Sequence, residues 1–381
     1  MLLINFSNQL SAGPKNISLN FIKEILKNDS INKYIFILPS IDEFLAFKDT
    51  KNVTFRFVEV GNGLFGKIIK TFRINWRVIP EICKNNKINT ILAFGNFLTY
   101  SLPSIKKIVL LHHPPIVDDN LYKLLPIISR FAELIKRFIF WLTIKNVDIV
   151  VVQSSFMHDE LFKKYPDYKN KFKIISNPIS SHFKKDILTL ANNDKMSGFQ
   201  GKSIFTLLYV SRFYPHKNHE FLIELAKKFA TSEFNIEILV TINPSLDGAD
   251  KFLDSVKLQN LPIYNLSELN QSELSQNYMK SDFMIFPSNA ETFGNPIIES
   301  LSFSLPIILP NRGYARALVG DNGAYYDAKN VNSCFHLISD FLLNEEKYVE
   351  YADYCYTRSK IFPDSATWVN KYLDLFNKNE I

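Results

Sequence analysis

Cysteine is nearly absent: Cys83, Cys334 and Cys355 are the only three in 381 residues, far apart and without a C-x-x-C pair. That scarcity excludes a disulfide framework and a thiolate zinc site, and it fits buried or free thiols in a reducing compartment. No apolar run reaches the roughly 18 residues that would span a bilayer, and MLLINFSNQL at the N-terminus has neither a basic leader nor a small-residue cleavage site. A cytoplasmic chain is expected. Repeats of fixed period are missing too, and no low-complexity tract stands out beyond a general richness in Asn, Lys and Phe.

What is present is ordinary globular material. With 46% hydrophobic and 22% charged residues the chain can build a sizeable core, which excludes a disordered or collagenous class. Its length exceeds what one core usually organises, so two domains are expected. The net charge of +6 comes from the first half, where Lys and Arg outnumber Asp and Glu, whereas the second half is acidic. A basic first half attracts an anionic surface: nucleic acid, acidic lipid or a phosphorylated carrier.

Apolar runs of strand length alternate with stretches of helical period, the pattern of parallel sheets covered by helices. Strands are predicted at 2–6, 34–38, 53–60, 90–94, 107–113, 148–154 and 172–176, then at 206–213, 234–242, 262–266, 282–288 and 306–310. The polar segment Pro178–Ser203, containing LANNDKMSGFQGKS, interrupts the alternation and reads as a linker. The expected fold class is therefore α/β, with two doubly wound Rossmann-like domains facing a cleft. Residues 1–180 form the first domain, 181–203 the linker and 204–362 the second, and a C-terminal helix within 363–381 packs back on the first. Ligands of such sheets bind beyond the carboxyl ends of the strands, so the residues there are the ones to inspect.

In the second half, VSRFYPHKNHEF places Arg212 and Lys217 in a loop leading into a helix. Two cations beside a helix N-terminus suit a diphosphate. Further on, PSNAETFGNPIIES runs from a strand through a polar turn into a helix near Gly294. Glu291 and Glu299 flank that turn, and a carboxylate can accept two hydroxyl protons, as the vicinal hydroxyls of a sugar ring or a ribose would offer. Gly294 permits close approach of backbone to a ligand.

The ordered set S-R-F-x-P-x-K-N, S-D-F-M-I-F-P-S, E-T-F-G-N-P-I-I-E and L-P-I-I resembles the nucleotide-sugar glycosyltransferases of GT-B fold, retaining family four, of bacterial polysaccharide and O-antigen type. The resemblance is strong over about 205–327 and architectural over 1–200. It implies that Arg212 and Lys217 hold the donor diphosphate. Glu291 would bind donor-sugar hydroxyls and Glu299 the nucleotide ribose. Thr292, Phe293, Gly294, Asn295 and Pro296 would form the donor-facing turn, with Phe293 and Asn295 shaping sugar choice. Residues Tyr264–Leu266 would face the base.

In the first half, KIVLLHH ends in His112 and His113. The resemblance implies a His near the reactive carbon of the donor sugar; His112 matches that position better, and His113 is the second candidate. It also implies a Gly-rich loop after the first strand, for which this chain offers only Gly13. Asp118 and Asp119 have no ligand partner at metal spacing, and the resemblance implies no metal and no cofactor, the nucleotide sugar being a substrate. Residues 120–145 put Lys123, Arg130 and Arg137 at seven-residue intervals, a basic helical face suited to anionic lipid headgroups.

The expected function is transfer of a hexosyl or deoxyhexosyl group from a nucleoside-diphosphate sugar to a hydroxyl of a saccharide acceptor, lipid-linked, with retained anomeric configuration. The setting would be cell-surface polysaccharide synthesis at the inner face of the cell membrane. Two other classes share some features. A nucleotide-sugar epimerase of the same fold would need acids and bases flanking the sugar. A basic nucleic-acid-binding protein would need clustered cations with stacking aromatics, which the diffuse charge here does not supply.

Overall fold

The computed structural model describes residues 1–10, 12–28, 31–61, 63–98, 102, 104–183, 186–187 and 202–377. The chain divides into two compact units, one of Met1–Ser176 with Ser365–Ile381 and the other of Asn177–Asp364. The expected linker, 181–203, lies largely outside the described residues, and the division falls earlier, after Ser176. All three cysteines are free, with Cys334 and Cys355 buried.

The first unit holds a seven-stranded parallel sheet: β1 (Leu2–Asn5), β2 (Tyr34–Pro39), β3 (Val53–Val58), β4 (Thr90–Ala93), β5 (Lys106–Leu110), β6 (Ile149–Val152) and β7 (Phe172–Ile174). Their order is β3-β2-β1-β4-β5-β6-β7, with register such as Ile4 opposite both Phe36 and Leu92. Every residue of β1, β2 and β4 is buried, as a parallel sheet covered on both faces requires. On one face Phe6, Phe21 and Phe94 pack with Trp368 and Tyr372, which the C-terminal helix Ser365–Asn377 brings onto helix Ala12–Asn28. On the other face Ile74, Ile79, Phe140 and Ile144 share a core with Leu3, Ile91 and Val109. The segments 63–85 and 127–146 therefore lie in one layer.

The helix expected over 120–143 is two helices, Asp119–Leu124 and Ile127–Asn146. Pro126 stands between them as the N-cap of the second; it has no N–H and pushes the preceding residue out of the helical region, so the chain turns there. The two arginines expected to face lipid are bonded instead to backbone carbonyls and to a carboxylate of the preceding segments. Arg130 donates to Leu125 O and Lys123 O, while Arg137 donates to Pro115 O and pairs with Asp119 at 2.7 Å. Lys123, Arg130 and Arg137 thus do not form one basic face; the two arginines tie the helices together.

The second unit holds a six-stranded parallel sheet: β8 (Phe205–Tyr209), β9 (Ile236–Val240), β10 (Ile263–Asn265), β11 (Phe283–Ile285), β12 (Ile307–Pro310) and β13 (Ala324–Tyr326). Its order is β10-β9-β8-β11-β12-β13. The sheet starts in the middle at β8, grows to one side, then returns to the other side of β8 with β11. That reversal is the topological switch point, where the loops after β8 and β11 diverge and leave room for a ligand.

Candidate functional site

The loops leaving the switch point carry most of the residues that the motif singles out. β8 ends at Tyr209 and is followed by Arg212 and Lys217; β11 ends at Ile285 and is followed by Glu291 and Gly294. The two loops are bonded to each other at several points. Asn289 N–H donates to His216 O at 2.7 Å, the Ser288 hydroxyl to the same oxygen at 3.2 Å, and Asn218 Nδ2 to Pro287 O at 3.3 Å. Asn218 sits at φ 57°, a left-handed position that Asn tolerates better than most residues. From behind, the Tyr209 hydroxyl holds Lys217 O and the Tyr314 hydroxyl holds Ser288 O, each at 2.6 Å.

The outcome is a direct ion pair, Lys217 Nζ to Glu291 Oε1 at 2.6 Å, with the side chains only 15% and 10% exposed. Residues 74 apart in sequence meet there. Arg212 is held more loosely: its Nη2 reaches Glu268 Oε1 at 3.1 Å near the surface, while its Nε is buried with no partner among the described residues. A surface pair of that kind contributes only about 0–1 kcal/mol, so an incoming anion can displace Glu268 at little cost.

Gly294 is the N-cap of helix Asn295–Ser302 with φ 87°. A Cβ there would stand 2.9 Å from Ile297 Cδ1 and 3.6 Å from Glu291 Cγ, so both conformation and crowding favour glycine. Of the turn residues, Pro296 has no N–H to give and Ile297 N–H bonds back to Gly294 O at 2.9 Å. The Phe293 ring is fully buried and packs edge-on against Phe362 at 5.9 Å. Asn295 Oδ1 accepts from Asn177 Nδ2 at 2.7 Å. Thr292 is partly buried, and Tyr264 lies half-exposed on edge strand β10.

Glu299 stands apart from the Lys217–Glu291 pair. Its Oε2 accepts from the Tyr278 hydroxyl at 2.8 Å. Burial pushes its carboxyl up to about 7, against the smaller downward pull of that hydroxyl. The folded chain therefore keeps the proton between the ordinary value of 4.5 and about 7, where the unfolded chain has released it. Stability from this group is lost as pH rises through that window. Glu299→Gln should accordingly flatten the pH dependence, its melting temperature gaining on that of the parent chain as pH is raised from about 5 to about 8. Parallel melting curves across that range would show the carboxyl to be ionised throughout.

In the first unit His112 and His113 follow β5. Burial, reinforced by the neighbouring His113, lowers His112 to about 4, so its imidazole is neutral; its N–H in the backbone donates to Asn96 Oδ1 at 2.8 Å. His113 is committed elsewhere, with Nε2 2.8 Å from Glu133 Oε2, and Lys136 bonds the other oxygen at 2.6 Å. Burial works against ionisation of Glu133, but His113 and Lys136 outweigh it and hold the carboxyl below its usual range. Gly13 is not in a loop: it lies in the first turn of helix Ala12–Asn28, and nothing comes within 4 Å of where a Cβ would stand. Asp118 bonds Leu121 N–H at 3.0 Å and Asp119 pairs with Arg137 and Lys164. Among the described residues no three His, Cys, Asp or Glu side chains gather as a metal cluster.

Sequence reasoning missed the partners: Glu268 for Arg212, Tyr278 for Glu299 and Glu133 for His113. It also missed Arg312, whose Nη2 donates to Asn289 Oδ1 at 2.7 Å. Arg312 follows β12 directly, and inspecting the end of that strand would have found it; the other three lie off the strand-end pattern or far from their partners.

Residues 192–358 match the family of glycosyl transferases group 1. A Campylobacter jejuni protein named N-acetylgalactosamine-N,N'-diacetylbacillosaminyl-diphospho-undecaprenol 4-alpha-N-acetylgalactosaminyltransferase is 24% identical over 80% of this chain and 82% of its own. An uncharacterized 41.2 kDa protein in the cps region of Klebsiella pneumoniae is 20% identical over 93% of this chain and 94% of its own. Among solved structures, sucrose-phosphate synthase from Thermosynechococcus elongatus superposes with a TM-score of 0.74 at 14% identity, over 98% of both chains. The match over 192–358 covers the loops that carry Arg212, Lys217, Glu291 and Glu299, and the two parallel-sheet Rossmann-like units give the chain the GT-B architecture of its structural neighbours.

Proposed function

We propose that this chain moves a sugar from a nucleoside-diphosphate donor to a hydroxyl of a saccharide carried on a lipid diphosphate, keeping the anomeric configuration, in cell-surface polysaccharide synthesis. The observation that carries the donor half is the nearly buried Lys217–Glu291 pair at the switch point of the second sheet. Its two charges neutralise each other in the free chain. A donor diphosphate draws Lys217 away, and the released Glu291 carboxylate accepts hydroxyl protons of the attached sugar. The names and genomic setting of the Campylobacter and Klebsiella relatives support the acceptor half.

As the bond from the anomeric carbon to the phosphate oxygen breaks, its electron pair passes to the leaving diphosphate. Arg212, Lys217 and the Gly294–Asn295 turn meet that charge and bind it more strongly in the transition state than in the ground state. The acceptor hydroxyl forms the new bond from the face the phosphate leaves, and its proton goes to a departing phosphate oxygen. No metal is called for in this scheme, and His112 serves as a neutral hydrogen-bond partner to the sugar.

The test is incubation of the purified protein with UDP-, GDP- and dTDP-sugars and an undecaprenyl-diphosphate saccharide, following nucleoside diphosphate release and the lipid product. Release coupled to an elongated lipid with the donor's anomeric configuration is expected. An isomerised donor without release would replace transfer by epimerisation, an inverted linkage would remove retention, and transfer only to water-soluble glycans would remove the lipid carrier.

A further inference from the structure

Tyr278 touches helix Asn295–Ser302 at two places one turn apart. Its hydroxyl donates to Glu299 Oε2 at 2.8 Å, and its ring stacks on that of Phe303, the C-cap four residues on, at 5.2 Å with 20° between the planes. Residues i and i+4 share a helix face, so one side chain meets both. Phe183, in the turn Ser181–Phe183, packs edge-on against Tyr278 at 6.1 Å and against Phe303 at 5.4 Å. All three rings are buried. The tyrosine stands on helix Gln271–Lys280, whose start is fixed by a reciprocal cap: Asn270 Oδ1 accepts from Ser272 N–H and Glu273 N–H, and Glu273 Oε2 accepts from Asn270 N–H. Further along the same helix the Ser275 hydroxyl donates to Asp186. A ring packed on two sides keeps its rotamer, and the place of its phenolic oxygen with it.

Glu299 gains from this what its own side chain lacks. A glutamate has several rotatable bonds, and its helix alone does not fix where the carboxyl points. Tyr278 anchors one oxygen, while Oε1 has no bond among the described residues and the side chain is only partly buried. A carboxylate oxygen has two lone pairs, so the open one can accept a pentose hydroxyl and the anchored one keeps a place for its neighbour. The direction of the proton is set as well. Burial and the Glu299 charge push the Tyr278 hydroxyl well above its ordinary range, so it donates and does not ionise. Burial raises the Glu299 carboxyl to about 7, and the Tyr278 hydroxyl opposes that rise. A buried tyrosine that only holds the fold together is satisfied by a backbone carbonyl, as Tyr209, Tyr314 and Tyr351 are. Tyr278 instead meets the one carboxylate of helix Asn295–Ser302.

We infer that Tyr278 is a positioning residue for the donor: through its hydroxyl it aims Glu299 at the pentose of the nucleotide and so sets the preference of the second unit for a hydroxylated pentose. That Glu299 meets the pentose rests on the nucleoside-diphosphate donor proposed above, but the Tyr278–Glu299 bond does not. The experiment is calorimetric titration of the full chain with UDP, GDP and dTDP, each beside the counterpart whose pentose lacks free hydroxyls, with circular dichroism on every variant. The parent chain should prefer the hydroxylated nucleotide by at least about tenfold, the scale of a hydrogen bond to a charged group. Glu299→Ala should abolish that preference. Tyr278→Phe, which keeps the ring and its packing, should cut the preference at least about threefold while binding the hydroxyl-free nucleotide as the parent does. Tyr278→Phe/Glu299→Ala should match Glu299→Ala alone, since the tyrosine acts only through the carboxylate. A parent-like preference in Tyr278→Phe would overturn the inference. So would equal weakening toward both nucleotides, the mark of a tyrosine that merely supports the fold, or a double variant that binds more weakly than Glu299→Ala. A parent chain that binds without any preference would remove Glu299 from the pentose, and the role of Tyr278 with it. Binding of no nucleoside diphosphate would instead reject the proposed function, and this inference together with it.

Discussion

Lys217→Ala is expected to slow donor turnover about a hundredfold or more, the usual effect of deleting one preorganised charge at a developing oxyanion, roughly 2.7–4 kcal/mol. The larger part should fall on kcat, since the leaving diphosphate gains charge only as the bond breaks. Removing the ammonium also leaves the Glu291 carboxylate, only 10% exposed, without its 2.6 Å partner. An uncompensated charge at such a site is destabilising, so Lys217→Ala should lower the melting temperature as well. Lys217→Ala/Glu291→Gln should recover that stability without recovering turnover, which separates the chemical role from the structural one. Arg212→Ala and Glu299→Ala should each lose at least about tenfold, equivalent to 1.4 kcal/mol. Single-turnover donor consumption with circular dichroism on each variant checks this. Parent-like rates in Lys217→Ala, Arg212→Ala and Glu299→Ala would reject the site.

The second large effect concerns stability. Trp368→Ala should destabilise the first unit by about 3–5 kcal/mol, the range for truncating a large aromatic in a packed core. Trp368 is fully buried, with ring centroids 5.4 Å from Phe21, 5.4 Å from Tyr372 and 6.4 Å from Phe94. Those contacts fasten helix Ser365–Asn377 to the face of the sheet that helix Ala12–Asn28 covers. Trp368→Phe should cost much less, because the indole Nε1 has no hydrogen-bond partner among the described residues and its loss strands nothing. Urea unfolding followed by a first-unit probe such as Trp141 emission measures both. A Trp368→Ala transition within about 1 kcal/mol of the parent would mean that the helix is not part of that core.

The strands were readable because parallel sheets bury both faces, leaving short apolar runs such as YIFIL and KIVLL between polar stretches. β13 escaped notice: three residues, Ala324–Tyr326, are too few to show a pattern. The strand read as 206–213 stops at Tyr209; the remainder, VSRF, already leads into the site. Seven-residue spacing made Lys123, Arg130 and Arg137 look like one face because periodicity ignores the break at Pro126. The apolar outer side of the same helix was hidden for a related reason. Apolar residues fall on two sides of it, and spacing along the chain does not say which side meets the sheet.

Residue types and their places at strand ends were determined by the amino-acid sequence alone: Arg212, Lys217, Glu291, Gly294 and Glu299 follow from local pattern and short-range turn chemistry. Pairing was decided only by the tertiary structure. Lys217 meets Glu291, Tyr278 meets Glu299 and Glu133 meets His113 because sheet order and helix packing bring distant segments together. The same packing determines burial, and with it the neutral state of His112 and the raised carboxyl of Glu299. Desolvation depends on what surrounds a group in space, which no spacing along the chain encodes.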